Sequence, residues 1–220
     1  MRHLSQATRS RVATNRLSTS GLSGPATNTR AAAIVLVGGL STRMGADKAS
    51  LVVDGVSMSD RVLHAVAQAG ITTSVIAGTA DVPDAQHVLS DASAQGPLAG
   101  VVGAWESLQA ASDLDPYDPI VVLSCDLPWL VAEVIEQLVT ASLSHAYGAV
   151  AHDGARPQPL VAAYRPLALA EMTRCFYDGE RSLRRCSVDW DLGHVSVQAQ
   201  LVADADTPED LRGFTVEWPL

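Results

Sequence analysis

Apolar residues occur along the chain in short runs that are separated by longer stretches of mixed polarity. The segments 31–37 (AAAIVLV) and 119–126 (PIVVLSCD) contain the strongest apolar runs, which is typical of strands buried on both faces of a sheet. Further strands are predicted at 71–78, 87–91, 147–152, 158–164 and 194–202. No window approaches the run of about 18 apolar residues that a membrane span needs, so a membrane is not an expected partner.

Helices are predicted between these strands. They cover 57–69, 96–111, 131–145, 167–178 and a short segment that begins at 206–209. Ser57 or Ser59 is a suitable N-cap, Pro97 suits a first turn, and Gly70 and Gly179 are suitable stops. Alternation of strands and helices predicts a three-layer α/β/α fold, Rossmann-like, with a mostly parallel central sheet. Ligands of such sheets bind beyond the carboxyl ends of the strands.

Composition separates the N-terminal segment from the remainder. Residues 1–29 are rich in Ser, Thr and Arg without apolar periodicity, so we expect a disordered extension followed by a single domain over 30–220. The chain has a net charge of −9, and the five arginines in residues 1–30 leave the remainder still more acidic. An acidic body argues against nucleic acid as the main partner. The three widely spaced cysteines fit a reducing cytoplasm.

The first predicted strand continues into a glycine-rich segment with two cations. Gly38 and Gly39 allow a ligand to approach the backbone, and Arg43 and Lys48 follow within the same segment. Five residues separate Gly39 from Gly45, so the segment is neither a P-loop nor a dinucleotide fingerprint. The combination favours binding of a triphosphate.

The predicted strand at 119–126 ends in a carboxylate. Asp126 either caps the next helix or holds Mg²⁺, which commonly takes one or two carboxylates together with substrate phosphates. Cys125 is expected to point into the core, because neighbouring residues of a strand alternate between its faces.

Four other polar residues have both a structural and a functional interpretation. Asp204 and Asp206 share one face of an extended chain and suit a metal or substrate contact, while Asp206 also suits an N-cap before Pro208. Asp91 is either a turn residue or a partner for the two donors of guanine. Arg156 is either a solvated hairpin arginine or a cation for a second phosphorylated substrate.

The motifs occur in the order found in one known family. They are GGxSxRMGxDK (38–48), GPLAG (96–100), CDxP (125–128), RPQPLVAAY (156–164) and DTPEDL (206–211). The sequence resembles the molybdenum cofactor guanylyltransferases, which have the nucleotide-diphospho-sugar transferase fold.

That resemblance implies Mg²⁺-dependent transfer of GMP from GTP to molybdopterin, with pyrophosphate as the leaving group. It also implies partner proteins from cofactor biosynthesis or molybdoenzyme maturation. It assigns catalysis to Arg43, Lys48 and Asp126, with Asp126 on the metal. Nucleotide contacts would come from Leu36, Val37, Gly38, Gly39, Lys48, Asp91 and Asp126. Arg156, Asp204 and Asp206 would lie on the pterin or metal side.

Some residues depart from the family pattern. Val37 replaces a usual Ala, and Asp204 and Asp206 stand where Asn is common, a change shared with cytidylyl-specific relatives. The Gly38-Gly39 pair still favours guanine. The alternatives are a molybdopterin cytidylyltransferase, another small-molecule nucleotidyltransferase of this fold, and a non-catalytic nucleotide-binding paralogue, which predicts loss of Lys48 or Asp126.

Overall fold

The computed structural model describes residues 31–37, 52–53, 55–78, 87–88, 96–110, 119–205 and 210–211. Its strands are β1 (Ala32–Val37), β2 (Val52–Val53), β3 (Val56–Ser57), β4 (Thr73–Gly78), β5 (His87–Val88), β6 (Ile120–Ser124), β7 (Gly148–His152), β8 (Pro157–Tyr164) and β9 (Gly193–Ser196). Its helices are α1 (Met58–Gln68), α2 (Pro97–Ala110), α3 (Ala132–Ser142), α4 (Pro166–Tyr177) and α5 (Leu183–Cys186), with a 3₁₀ helix at Ala199–Val202. The predicted division of the chain near residue 30 falls outside the described residues and stays a prediction.

Seven of these strands form one sheet in the order β5-β4-β1-β6-β8-β7-β9. Parallel pairs join β1 to β4 and β6, β4 to β5, and β7 to β9. Only β8 runs against its neighbours β6 and β7 within this sheet. The predicted mostly parallel sheet is confirmed.

Helices cover both faces of the sheet. The buried residues of β1 alternate between two hydrophobic clusters, with Val35 facing the cluster that includes residues of α1 and α3. Ile34 faces the cluster that includes residues of α2 and α4. Every residue of β1 is buried, which is why its sequence is uninterruptedly apolar. The predicted three-layer α/β/α arrangement is confirmed.

Local signals placed several helix ends correctly. The hydroxyl of Ser57 accepts a hydrogen bond from the backbone N–H of Asp60 at 3.1 Å and caps α1. Gly70 follows α1 with φ of 77°, and Pro97 is the first residue of α2. Cys125 is buried against the α1 and α3 side of the sheet, as its strand position predicted.

The predicted strand at 194–202 is only partly correct. Strand β9 ends at Ser196, which pairs with His152, the last residue of β7. Beyond that point the partner strand has ended, and the chain turns into the 3₁₀ helix, which buries Val202 in the core. The short helix α5 and the β2–β3 pair were not predicted. No helix in the described part of the chain is both long and apolar enough to cross a membrane.

Candidate active site

A pocket of about 510 Å³ lies beyond the carboxyl end of β6. This volume is in the range of pockets that hold small-molecule ligands. The described residues that line it are Pro97, Ser124, Asp126, Leu127, residues 156–161, residues 181–185, Val202 and Asp204. Strand β1 ends beside β6, because Leu36 pairs with Ser124 and the Leu36 carbonyl accepts the N–H of Cys125 at 3.0 Å. The pocket therefore lies where open α/β sheets bind ligands.

The carboxylates of the pocket are Asp126 and Asp204. The hydroxyl of Ser124 donates to Oδ1 of Asp126 at 2.5 Å, which orients that carboxylate. The backbone N–H of Ala205 donates to the Asp126 carbonyl at 3.0 Å, and Ala205 is 1% exposed. This hydrogen bond holds the segment of exposed Asp204 beside the end of β6. Two carboxylates distant in sequence thus line one pocket.

The turn between β7 and β8 is organised by Asp153. Its Oδ1 accepts the backbone N–H groups of Ala155 and Arg156, each at 2.8 Å, and its Oδ2 accepts the side-chain amide of Gln158 at 2.5 Å. The hydrogen bonds from Arg156 and Ala155 hold the pKa of Asp153 below its usual value. Gly154 completes the turn with φ of 93°. The turn places Arg156 at the pocket.

A bulge in β8 forms the adjoining wall. Val150 of β7 lies opposite Ala162, whereas the next residue, Ala151, lies opposite Gln158. Residues 159–161 are therefore unpaired with β7, and they line the pocket. The hydroxyl of fully buried Tyr164 donates to the Pro159 carbonyl at 2.8 Å, and burial raises the pKa of Tyr164, so the hydroxyl stays protonated. This hydrogen bond joins the bulge to Tyr164, the last residue of β8.

The connection between α4 and α5 is organised by Glu180. Its Oε1 accepts the backbone N–H groups of Arg181 and Ser182, each at 2.7 Å. The guanidinium of Arg185 donates to both carboxylate oxygens, at 2.8 and 2.9 Å. The Arg185 pair, followed by the Ser182 and Arg181 N–H groups, lowers the pKa of Glu180 to about 2. The start of α5 is thereby fixed at the pocket.

Other predicted site residues differ in what the structure describes of them. Leu36 and Val37 are buried at the end of β1, where β1 is paired with β4, and their contacts with a nucleotide stay predictions. Gly38, Gly39, Arg43, Lys48, Asp91 and Asp206 lie outside the described residues, and their roles stay predictions. Asp126, Arg156 and Asp204, which were predicted separately, line one pocket.

The two carboxylates of the pocket can supply part of the coordination shell of Mg²⁺. No group of three or more His, Cys, Asp or Glu side chains in the described ranges is placed to hold a metal. Two carboxylates, Asp126 and Asp204, do line the pocket. Magnesium commonly takes one or two carboxylates and completes its shell with water and substrate phosphates. The site therefore suits a metal that arrives with, or is completed by, a phosphorylated substrate.

Comparison with known proteins assigns the chain to a class of nucleotide-dependent transferases. Residues 33–192 match the model of the MobA-like NTP transferase domain. The chain belongs to that family.

Curated relatives give the same family, and a solved structure gives the same fold. The chain is 30% identical over 194 residues to a probable molybdenum cofactor guanylyltransferase of Nostoc, covering 81% of this chain and 87% of the relative. It is 35% identical to a probable molybdenum cofactor guanylyltransferase of Opitutus terrae, covering 70% and 76%. The crystal structure of molybdopterin-guanine dinucleotide biosynthesis protein A from Archaeoglobus fulgidus superposes with a TM-score of 0.66 at 21% identity, covering 82% and 95%. This likeness confirms the nucleotide-diphospho-sugar transferase fold.

Sequence reasoning missed the arginines of residues 181–185. Arg181, Arg184 and Arg185 line the pocket together with Arg156. The only local signal is the cluster of three basic residues immediately after the stop at Gly179. Such a cluster is most often a solvated surface, so only the tertiary structure identifies it as part of the site.

Proposed function

We propose that this protein is a molybdenum cofactor guanylyltransferase that transfers GMP from GTP to molybdopterin and releases pyrophosphate. The observation that carries the proposal is the convergence of Asp126, Asp204 and Arg156 on one pocket beside the end of β1. The choice of GTP and molybdopterin as substrates rests on the relatives named molybdenum cofactor guanylyltransferase.

In the proposed reaction, a phosphate oxygen of molybdopterin attacks the α-phosphorus of GTP. The new P–O bond forms as the bond to the oxygen bridging the α- and β-phosphates breaks, and pyrophosphate leaves with the electron pair. Transfers of this kind depend on positioning and on neutralising charge more than on a covalent catalyst.

The protein residues would divide this work between them. Asp126, with Asp204, would hold Mg²⁺, which supplies charge neutralisation for the triphosphate and the leaving group. Ser124 orients the Asp126 carboxylate through its hydrogen bond. Arg43 and Lys48, in the segment after β1, would bind the phosphates of GTP, and Asp91 would bind guanine. Arg156 would bind the phosphorylated acceptor.

The first test measures nucleotide choice and product together. The protein is incubated with molybdopterin, Mg²⁺ and each of GTP, CTP, ATP and UTP, and the dinucleotide product is identified by mass. We expect the guanine dinucleotide. A cytosine product would assign the protein to the cytidylyl branch, and binding of nucleotide without any product would favour the non-catalytic alternative.

Asp126→Asn tests the metal assignment within that assay. The amide keeps the size of the side chain and can still accept the Ser124 hydroxyl, but it loses the charge that Mg²⁺ needs. We expect a fall in kcat of at least about a hundredfold, a size typical of losing one key electrostatic group. Glu136→Gln, an exposed residue of α3, makes the same change of charge away from the pocket and should leave kcat unchanged. Equal activity of the two variants would refute the assignment.

A further inference from the structure

Four arginines in the described part of the chain line the pocket, and they differ in how their guanidinium groups are bonded. Arg181 donates from Nη1 to the carbonyls of Phe176 and Glu180, both at 2.8 Å, and lies 4.4 Å above the Phe176 ring centre. Arg185 is held by both oxygens of Glu180. These two guanidinium groups stabilise the connection between α4 and α5, because Nη1 of Arg181 and both Nε and Nη2 of Arg185 donate to groups within that connection.

The other two arginines keep their charge available to the pocket. The Nε of Arg156 lies 4.0 Å from Asp153, and its side chain is 57% exposed. Arg184 is exposed and makes no hydrogen bond or ion pair with any residue in the described part of the chain. An exposed arginine without a partner is ordinary on a surface, but this one lines a pocket of ligand size.

The backbone that carries Arg184 is well fixed. Ser182 caps α5 by accepting the N–H of Arg185, and Leu183 is 4% exposed in the core beneath α2 and α4. Glu180 fixes the residues that precede the helix. Little backbone freedom is therefore lost when Arg184 binds a ligand, which favours affinity.

We propose that Arg184 acts with Arg156 to bind the phosphate of the acceptor substrate, and this inference rests on the proposed function. A phosphate monoester carries about −1.5 to −2 charge near neutral pH, so two guanidinium groups match it. Their planar forks also suit the paired oxygens of a phosphate. Asp126 and Asp204 line the same pocket and are assigned to Mg²⁺, so the two arginines are the described cations left for the acceptor phosphate.

Steady-state kinetics test the inference. We expect Arg184→Ala to raise the KM for molybdopterin by about tenfold or more, equivalent to ~1.4 kcal/mol of binding. The KM for GTP and the kcat at saturating molybdopterin should remain close to those of the wild type. Arg184→Lys, which keeps the charge but loses the fork, should recover part of the affinity.

Arg174→Ala is the matched control. Arg174 lies on α4, outside the pocket, and is paired with Glu171 and Asp178. The Arg174→Ala variant removes one positive charge from the neighbouring helix. A general change in the electrostatic potential of this region would therefore affect Arg174→Ala and Arg184→Ala equally. An equal rise in the KM for molybdopterin in the two variants, or no rise in Arg184→Ala, overturns the inference.

A second readout separates this inference from the proposed function. If the wild type forms no dinucleotide product, the proposed function fails, and calorimetric titration with inorganic phosphate then decides the role of Arg184 by itself. Weaker phosphate binding in Arg184→Ala than in Arg174→Ala supports an anion site, and equal binding refutes it. A lower unfolding midpoint in Arg184→Ala would also refute it, because it would show a structural role.

Discussion

Two segments of the pocket wall, the turn at Asp153 and the connection at Glu180, use the same arrangement of hydrogen bonds. In each, one carboxylate oxygen accepts two consecutive backbone N–H groups, and the other accepts a side-chain donor. In each, the carboxylate has a lowered pKa, and a glycine of positive φ lies within one residue of it. Arg156 lies in the first segment and Arg184 just after the second, and both line the pocket.

The two segments differ in what else supports them. The Asp153 turn joins two paired strands, so the sheet holds its ends whether or not the carboxylate is present. The Glu180 segment joins α4 to a helix of four residues, which is too short to be stable by itself. The same hydrogen-bond arrangement should therefore matter more at Glu180 than at Asp153.

Among the variants that test this comparison, the largest effect is expected from Glu180→Gln. The amide oxygen can still accept the two backbone N–H groups, but the new NH₂ group faces the Arg185 donors and the ion pair is lost. We expect a lower unfolding midpoint and an increase of about tenfold in the KM for molybdopterin, because α5 and Arg184 are less well fixed. Asp153→Asn is the matched variant and should shift both quantities less, since Gln158 can rotate its amide to offer an oxygen. A larger effect from Asp153→Asn would contradict the comparison.

The loss of stability in Glu180→Gln should depend on pH. The pKa of Glu180 is lowered from 4.5 to about 2, so the folded state favours its ionised form. Its contribution to stability is therefore complete above pH 4.5 and is lost as the pH falls toward 2. Thermal unfolding of wild type and Glu180→Gln should differ most above pH 4.5 and converge near pH 2. A difference that persists at pH 2 would mean that the ion pair is not its source.

A smaller effect, of similar size in the two segments, is expected when either glycine is replaced by alanine. Gly154 and Gly179 have φ of 93° and 97°, and a Cβ at either would meet no atom within 4 Å. Alanine at each should therefore cost only backbone strain, about 1–2 kcal/mol in the free energy of unfolding. Denaturant unfolding of Gly154→Ala and Gly179→Ala measures this. Clearly unequal values would show that one segment relaxes its backbone and the other does not.

The smallest effect is expected from Tyr164→Phe. The variant removes one hydroxyl, which donates to the Pro159 carbonyl on the Asp153 side of the pocket. We expect a loss of about 1 kcal/mol in the free energy of unfolding, with a modest rise in the KM for molybdopterin and no change in the pH dependence described for Glu180. An unchanged free energy of unfolding would show that the bulge does not need this hydrogen bond.

The centre of the fold was predictable because its strands are buried on both faces. Strands β1 and β6 are continuous apolar runs without the interspersed polar residues that would suggest a surface helix. The end of β9 was not predictable, because it depends on where its partner β7 stops rather than on its own residues. The helix α5 was missed because its four residues are too few to show a repeating spacing of apolar residues.

The site was predictable where a polar residue directly follows a strand or occurs in a family motif. Asp126 follows β6, and Arg156 and Asp204 lie in or beside recognised motifs. Arg184 carries no such signal. Its place depends on the buried Leu183 and on the Glu180–Arg185 pair, and both are tertiary features. The individual roles of all these residues stay predictions.

The bulge in β8 also has a consequence for how this fold can vary. Three residues, 159–161, are absorbed between positions that keep their pairing with β7 on either side. A change in the length of this segment can be accommodated locally, whereas elsewhere in the sheet a shift of one residue would turn every following side chain to the opposite face. The part of the pocket wall that this segment forms can therefore change while the pairing of β7 and β8 on either side is kept.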